Sequence, residues 1–231
     1  MIRRTGALVL LVAAVACAPA SAANTVPVNV RVEGIKKTLF EGRIVANVHK
    51  LDARDGTGRH KCDGTNGGAN PKPGPTLLSA FDTALLRAHR GWAGRWDDGF
   101  QDFALDRVGP DSNDTTGGRY WGQVLNFQDT QVGGCQQQLK AGDQVLVAFN
   151  SYGHPKLKLT GPTQAKAGKP FQVTVTDGAT GKPFAGALVH GSTTDSNGHV
   201  NVTLLETRVH RFKARAKGAI RSNALKVDAK A

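Results

Sequence analysis

Gly133–Phe149, GGCQQQLKAGDQVLVAF, sets a cysteine behind two glycines, then a polar stretch, a Gly-Asp turn at 142–143 and a strand-like run from Gln144 to Phe149. A cysteine placed just ahead of such a strand fastens a distant segment to a sheet, so its partner comes first. The chain opens with Arg3 and Arg4, an apolar run from Ala7 to Ala16 and the small-residue site Ala20-Ser21-Ala22. This is the pattern of a secretory signal peptide over residues 1–23, too short to span a membrane permanently. Cleavage after Ala22 or Ala23 leaves Cys62 and Cys135 in a chain addressed to an oxidising space, and one disulfide between them is the economical assignment. The sequence AVAC, ending at Cys17, carries a competing reading in which that cysteine is lipidated and anchors the protein at the cell surface. HKC at 60–62 offers two metal-type ligands, but no second cluster of matching spacing completes a zinc site, so no metal is expected.

Charge divides the remainder. Residues 24–155 hold 15 Lys and Arg against 14 acidic residues, whereas residues 156–231 hold 13 against 4. The basicity therefore belongs to the C-terminal part, and NSYGHPKLKLTGP at 150–162, broken by Gly and Pro, is the expected boundary between domains at 26–150 and 156–231. In the first, VPVNVRVEG alternates Val26, Val28, Val30 and Val32 with polar or small neighbours, a half-buried strand, and RIVANVHKL follows it. Residues 52–75, ending in GTNGGANPKPGP, read as a long exposed loop pinned by Cys62. TLLSAFDTALLRAH at 76–89 is the one convincing helix, with Thr76 as N-cap and Gly91 placed to stop it. Trp92, Trp96, Phe100 and Phe103 read as core in preference to a ligand platform, and Asp97, Asp98 and Asp102 as turn and solvated-face residues. DFALDRV and RYWGQVLNF supply further strands.

Taken in order, VRVEG at 30–34, TLF at 38–40, ALLRA at 84–88, YW at 120–121 with Asn126 beyond it, GGC at 133–135 and GDQVLV at 142–147 resemble the transcobalamin-like C-terminal domain family. The resemblance implies a noncatalytic α+β, β-grasp-like extracellular module of one sheet and one helix. In the vitamin B12 carriers that module closes over one face of the corrinoid while a helical barrel supplies the other, and this chain has no room for the barrel. Cobalamin is thus the cofactor the resemblance brings, with no certain cofactor of the chain's own. Tyr120, Trp121, Asn126 and Phe127 are the candidate ligand-binding residues, with burial of Trp121 and Phe127 in the core as the competing reading.

Residues 156–231 read as all β. AGKPFQVTVTD, TTDSNGHVNVTLLE with a hairpin tip at Asn197-Gly198, and HRFKARAKGAIRSNALKVDA have the strand and turn spacing of a small sandwich. Their order resembles bacterial immunoglobulin-like and carboxypeptidase regulatory-like domains. In VHRFKARAK, 209–217, Arg211, Lys213, Arg215 and Lys217 fall on one face of a single strand, a candidate stripe for polyanions; edge protection is the competing explanation. No aromatic residue interleaves with these cations, which argues against nucleic acid.

No nucleophile elbow, metalloprotease motif, P-loop or dinucleotide fingerprint is present, and the seven histidines are scattered. The expected class is a mainly β, secreted or surface-attached noncatalytic binding protein for a corrinoid or other small ligand. The alternative is a structural or adhesive envelope protein whose basic C-terminal face meets anionic wall or membrane polymers.

Overall fold

The computed structural model describes residues 25–231; the expected signal peptide and Cys17 lie outside the described residues. The fold is mainly β with one α-helix. Its buried apolar side chains form two main clusters, one within residues 26–149 and one within residues 157–229. They mark an N-terminal and a C-terminal lobe.

The N-terminal lobe runs β1 (Thr25–Glu33), β2 (Thr38–Asn47), β3 (Leu51–Asp52), β4 (Arg59–His60), α1 (Leu77–Arg87), β5 (Trp92–Asp97), β6 (Asp102–Val108), β7 (Asp111–Ser112), β8 (Trp121–Leu125), β9 (Gln128–Asp129) and β10 (Gln144–Phe149). Five strands form one sheet in the order β2-β1-β10-β8-β9, in which β1 and β10 are parallel and the other neighbours antiparallel. Strand alternation turns Val26, Val28, Val30 and Val32 into the core that also holds Leu77, Phe81 and Leu85 of α1. The opposite face of β1 is not solvated as a half-buried strand would be: Arg31 and Glu33 are buried too. Strands β5, β6 and β7 make a separate sheet. The spacing of Trp92 and Trp96 is therefore that of one strand face, and both join the core with Phe103.

Thr76 caps α1, its hydroxyl accepting from the Ser79 N–H while the Ser79 hydroxyl accepts from the Thr76 N–H. Such a reciprocal cap satisfies two of the donors that a helix start leaves free. The helix ends earlier than expected, at Ala88, and His89 rather than Gly91 takes the left-handed conformation, with φ of 52°.

The disulfide joins Cys62 to Cys135 with their Cα atoms 4.5 Å apart. Its surroundings explain why the loop before α1, exposed as expected at 56–59, 67–69 and 71–73, also has buried stretches at 62–64 and 74–75. Gly64 N–H donates to Cys135 O, Leu78 N–H to Gly134 O, Leu77 N–H to Gln137 O and Leu139 N–H to Pro75 O. Asn66, fully inside, donates from Nδ2 to Lys61 O and Gln101 O. The polar residues that suggested a solvated loop are spent on backbone groups that burial has removed from water.

The C-terminal lobe contains β11 (Leu157–Thr160), β12 (Gln164–Lys166), β13 (Pro170–Asp177), β14 (Leu188–Val189), β15 (Ser192–Thr193), β16 (His199–Thr203), β17 (Val209–Phe212), β18 (Ala214–Arg215) and β19 (Leu225–Lys230). Three three-stranded sheets, β11-β13-β16, β12-β19-β17 and β15-β14-β18, pack as β layers around Leu159, Val173, Val175, Val202 and Val227. Two sequence expectations change here. Asn197-Gly198 is a turn, with Asp195 Oδ1 accepting from the Asn197 and His199 N–H groups, but β15 and β16 on either side belong to different sheets. Residues 209–217 are likewise not one strand: β17 pairs with β19, β18 pairs with β14, and Lys213 sits at the break.

The disulfide closes a loop of 73 residues. In the chain-entropy model its loss costs about 4 kcal/mol, so a C62S/C135S variant is expected to melt roughly 10 °C below the oxidised protein. A thermal melt that is the same for both would show that the segment is held without the bond. Thr76→Ala, which removes the cap and the hydroxyl's contact with Cys62 but leaves the disulfide, is expected to cost about 1 kcal/mol.

Candidate functional site

The outward face of β1, β10 and β8 meets the C-terminal lobe. Val124, Leu146 and Ala148 of that face form a small buried cluster with Ile220. Around it the contacts are charged. The Glu33 carboxylate is 2% exposed and accepts from Arg221 Nε at 2.7 Å, from Lys213 Nζ, and from the Thr38 hydroxyl at 3.0 Å. Lys213 also reaches Glu41 at 2.7 Å, and Glu41 accepts from the Ala224 N–H. Arg31 lies 4.0 Å from Glu33 and donates to the Arg221 carbonyl. Burial lowers the Arg31 pKa from its ordinary value, and the nearby Glu33 and Glu41 act in the opposite sense. Farther along the same interface Lys156, its side chain 5% exposed, pairs with Asp129 at 2.6 Å, and Gln128 donates to Ala179 O.

Beside these contacts a cleft of 310 Å³ remains between the lobes, lined by Asn29, Arg31, Phe127, Gln144, Leu146 and Lys158 among others. Phe127 is its wall. With Asn126 it forms the two-residue turn between β8 and β9, both at positive φ, 50° for Asn126 and 69° for Phe127, as a tight hairpin requires. The ring is held against Gly178, where a Cβ atom would approach it to 2.1 Å, so only glycine leaves it room. Lys158 Nζ stands 6.0 Å from the ring centroid. Among the described residues the side chains of Asn29, Gln144 and Lys158 have no hydrogen-bonded protein partner.

Of the four residues expected at a ligand site, one reaches this cleft. Phe127 lines it but is itself buried, 8% exposed and packed on Gly178, outside the helix-side core. Trp121 is buried against Phe149 and its Nε1–H donates to Asp111 O, which leaves no face for a ligand. Asn126 is committed on both amide atoms, donating to Asp143 Oδ1 and accepting from the Gln144 N–H. Tyr120 is half exposed but lies apart from the cleft lining. The four-cation stripe is also corrected. Lys213 turns inward to Glu33 and Glu41, while Arg211, Arg215 and Lys217 stay exposed on β17, on β18 and beyond β18.

The other titratable groups are structural. Asp102, expected on a solvated face, is buried; one carboxylate oxygen accepts from the Phe103 N–H at 2.7 Å and the other from Cys135 N–H at 2.9 Å. Burial dominates these hydrogen bonds and raises its pKa to about 6. His49 donates from Nε2 to the Asp82 carboxylate (3.0 Å), which raises its pKa, and its second nitrogen meets Asn47 O. His60 stacks on Trp96 at 4.2 Å, and its neighbour Cys62 is in the disulfide. Among the described residues no three His, Cys, Asp or Glu side chains converge as metal ligands, and no helix is long and apolar enough to cross a membrane.

No protein-family model matches the sequence, and no curated protein matches it.

Because the Asp102 pKa is raised on folding, from 3.8 to about 6, its protonation favours the folded state. That contribution is fully present below pH 3.8 and is lost as pH rises through about 6, a change of about 3 kcal/mol. The stability of the wild-type protein relative to D102N is expected to fall over this window and to be flat above pH 7. A pH-independent difference would place the Asp102 carboxyl in contact with water.

Proposed function

We propose that the protein is an extracytoplasmic, noncatalytic binding protein whose small ligand lies in the interlobe cleft. The observation that carries this is the cleft itself, which sets the Phe127 ring and the apolar floor of Leu146 beside the exposed polar side chains of Asn29, Gln144 and Lys158. Ligand pockets characteristically combine an apolar lining with a few polar groups that orient the ligand. Here the lining suits a molecule with a flat apolar part, resting on Phe127, and an anionic group directed to Lys158. The disulfide supports an oxidising compartment. The strand order, with a central parallel pair and one packed helix, supports the β-grasp-like reading of the N-terminal lobe, and the β layers of residues 157–230 support an immunoglobulin-like one.

Cobalamin is the ligand implied by the resemblance to the transcobalamin-like family. The cleft volume of 310 Å³ favours a smaller ligand. An anionic aromatic dye, anilinonaphthalene sulfonate, separates these possibilities. The intact protein is expected to bind it saturably at one-to-one stoichiometry. Filling the cleft by Thr160→Trp, at a residue that also lines it, should abolish binding, and Lys158→Glu should weaken it about tenfold, or about 1.4 kcal/mol. Dye uptake unchanged in both variants would remove the cleft as the site. Cobalamin added in competition is expected not to displace the dye; stoichiometric displacement would make the corrinoid the ligand.

A further inference from the structure

The outer face of the β12-β19-β17 sheet carries a charge arrangement that folding alone does not explain. On it Arg211 of β17 stands directly opposite Lys226 of β19, and Lys166 of β12 directly opposite Lys230 of β19. All four side chains are exposed, while the alternate residues His210, Val227 and Ala229 are buried. Directly opposed side chains in neighbouring strands lie about 5 Å apart at Cβ, and like charges there are destabilising. One carboxylate is present among them, Asp228, at 3.4 Å from Lys230. Other cations of the lobe do have carboxylate partners: Lys156 with Asp129, Lys213 and Arg221 with Glu33, and Arg208 with Glu206.

Edge protection accounts for Arg211 and Lys166, on the edge strands β17 and β12, but not for the rest of the pattern. Cations that guard a sheet against further pairing belong on its edge strands. Lys226 and Lys230 are on the central strand, where there is no edge to guard.

We propose that this face binds a linear phosphate-bearing polymer, with Arg211 and Lys226 as one contact row and Lys166 and Lys230 as the second. The four-residue step from Lys226 to Lys230 separates the rows by about 13 Å along β19, which no single phosphate spans and an extended polyanion does. Arg supplies a fork of donors matched to phosphate oxygens and Lys a point charge. No aromatic side chain lies on these rows to stack bases, and the face is a flat polar sheet rather than the apolar side of an amphipathic helix, features that favour a polymer over single-stranded nucleic acid or a lipid surface. The site differs from the stripe read along residues 209–217 in every member except Arg211, and it is independent of the interlobe cleft.

Fluorescently labelled long-chain inorganic polyphosphate, titrated into the intact protein and followed by anisotropy, tests this directly. Saturable binding is expected, weakening steeply between about 50 and about 200 mM salt. R211E/K226E and K166E/K230E should each weaken it by about tenfold or more, while K182E/K217E, with the same change in net charge, should leave it within about twofold. Single R211E creates an opposite-charge pair with Lys226 and should raise Tm by about 1–3 °C as it weakens binding, which separates loss of the site from loss of the fold. Equal weakening in all three double variants would reduce the effect to net charge and overturn the proposal. So would orthophosphate competing as well as the polymer per phosphate, or capture only by phosphatidylglycerol vesicles or single-stranded DNA.

Discussion

A buried carboxylate governs how this chain is assembled. Glu33 ends the interior strand β1 on the face away from the helix, and it is 2% exposed. A carboxylate taken out of water at such a position costs several kcal/mol unless cations and donors replace its hydration. Two of its cationic partners, Lys213 and Arg221, come from the C-terminal lobe, so the N-terminal sheet is completed electrostatically by residues roughly 180 positions later. Satisfying Glu33 draws Lys213 inward at the point where the chain leaves β17 for β18. The same requirement brings Arg221 over Gly34 and Ile35, whose carbonyls accept from its guanidinium. The lobes are therefore apposed in one arrangement, and the cleft beside Phe127 is the space that arrangement leaves.

Much of the framework was legible in the sequence because it rests on local rules. The valine alternation of β1, the Thr76 cap, the apolar stripe of α1 and the two cysteines each follow from period, capping chemistry or compartment. What was not legible depends on contacts between distant segments. Asp102 looked like a solvated acid among Asp97 and Asp98, and its burial follows from the disulfide bringing the Cys135 N–H to it. Asn126 looked like a ligand amide, yet its positive φ and its bonds to Asp143 and Gln144 make it a turn residue. Lys213 looked like the second member of a stripe because strand alternation assumes an unbroken strand, and the sequence has no signal for a change of sheet at that residue. Arg31 and Glu33 did carry a signal, two ionisable residues inside a strand whose other face is all valine. A solvated sheet face explains such residues equally well until the covering lobe is seen.

The distribution of charge then has a physical division. The C-terminal lobe is strongly basic, and two groups of its cations stand out: Lys156, Lys213 and Arg221, which neutralise buried or interfacial carboxylates, and Arg211, Lys226, Lys166 and Lys230, opposed to one another on the outer face of β12, β19 and β17. Only the first group contributes to assembly. The candidate cleft and the basic face lie on different elements, so a small ligand held between the lobes and a polymer held outside them do not compete for the same residues.

Differential scanning calorimetry of the oxidised wild-type protein and of Glu33→Ala bears most directly on the interlobe clamp. With the lobes coupled through Glu33, the wild-type protein should unfold in a single transition. The variant, left with Lys213 and Arg221 short of their shared carboxylate, should lose about 3–5 kcal/mol and separate into two transitions, one for each lobe. Two transitions already present in the wild-type protein, at temperatures unmoved by the substitution, would contradict a clamp built on Glu33.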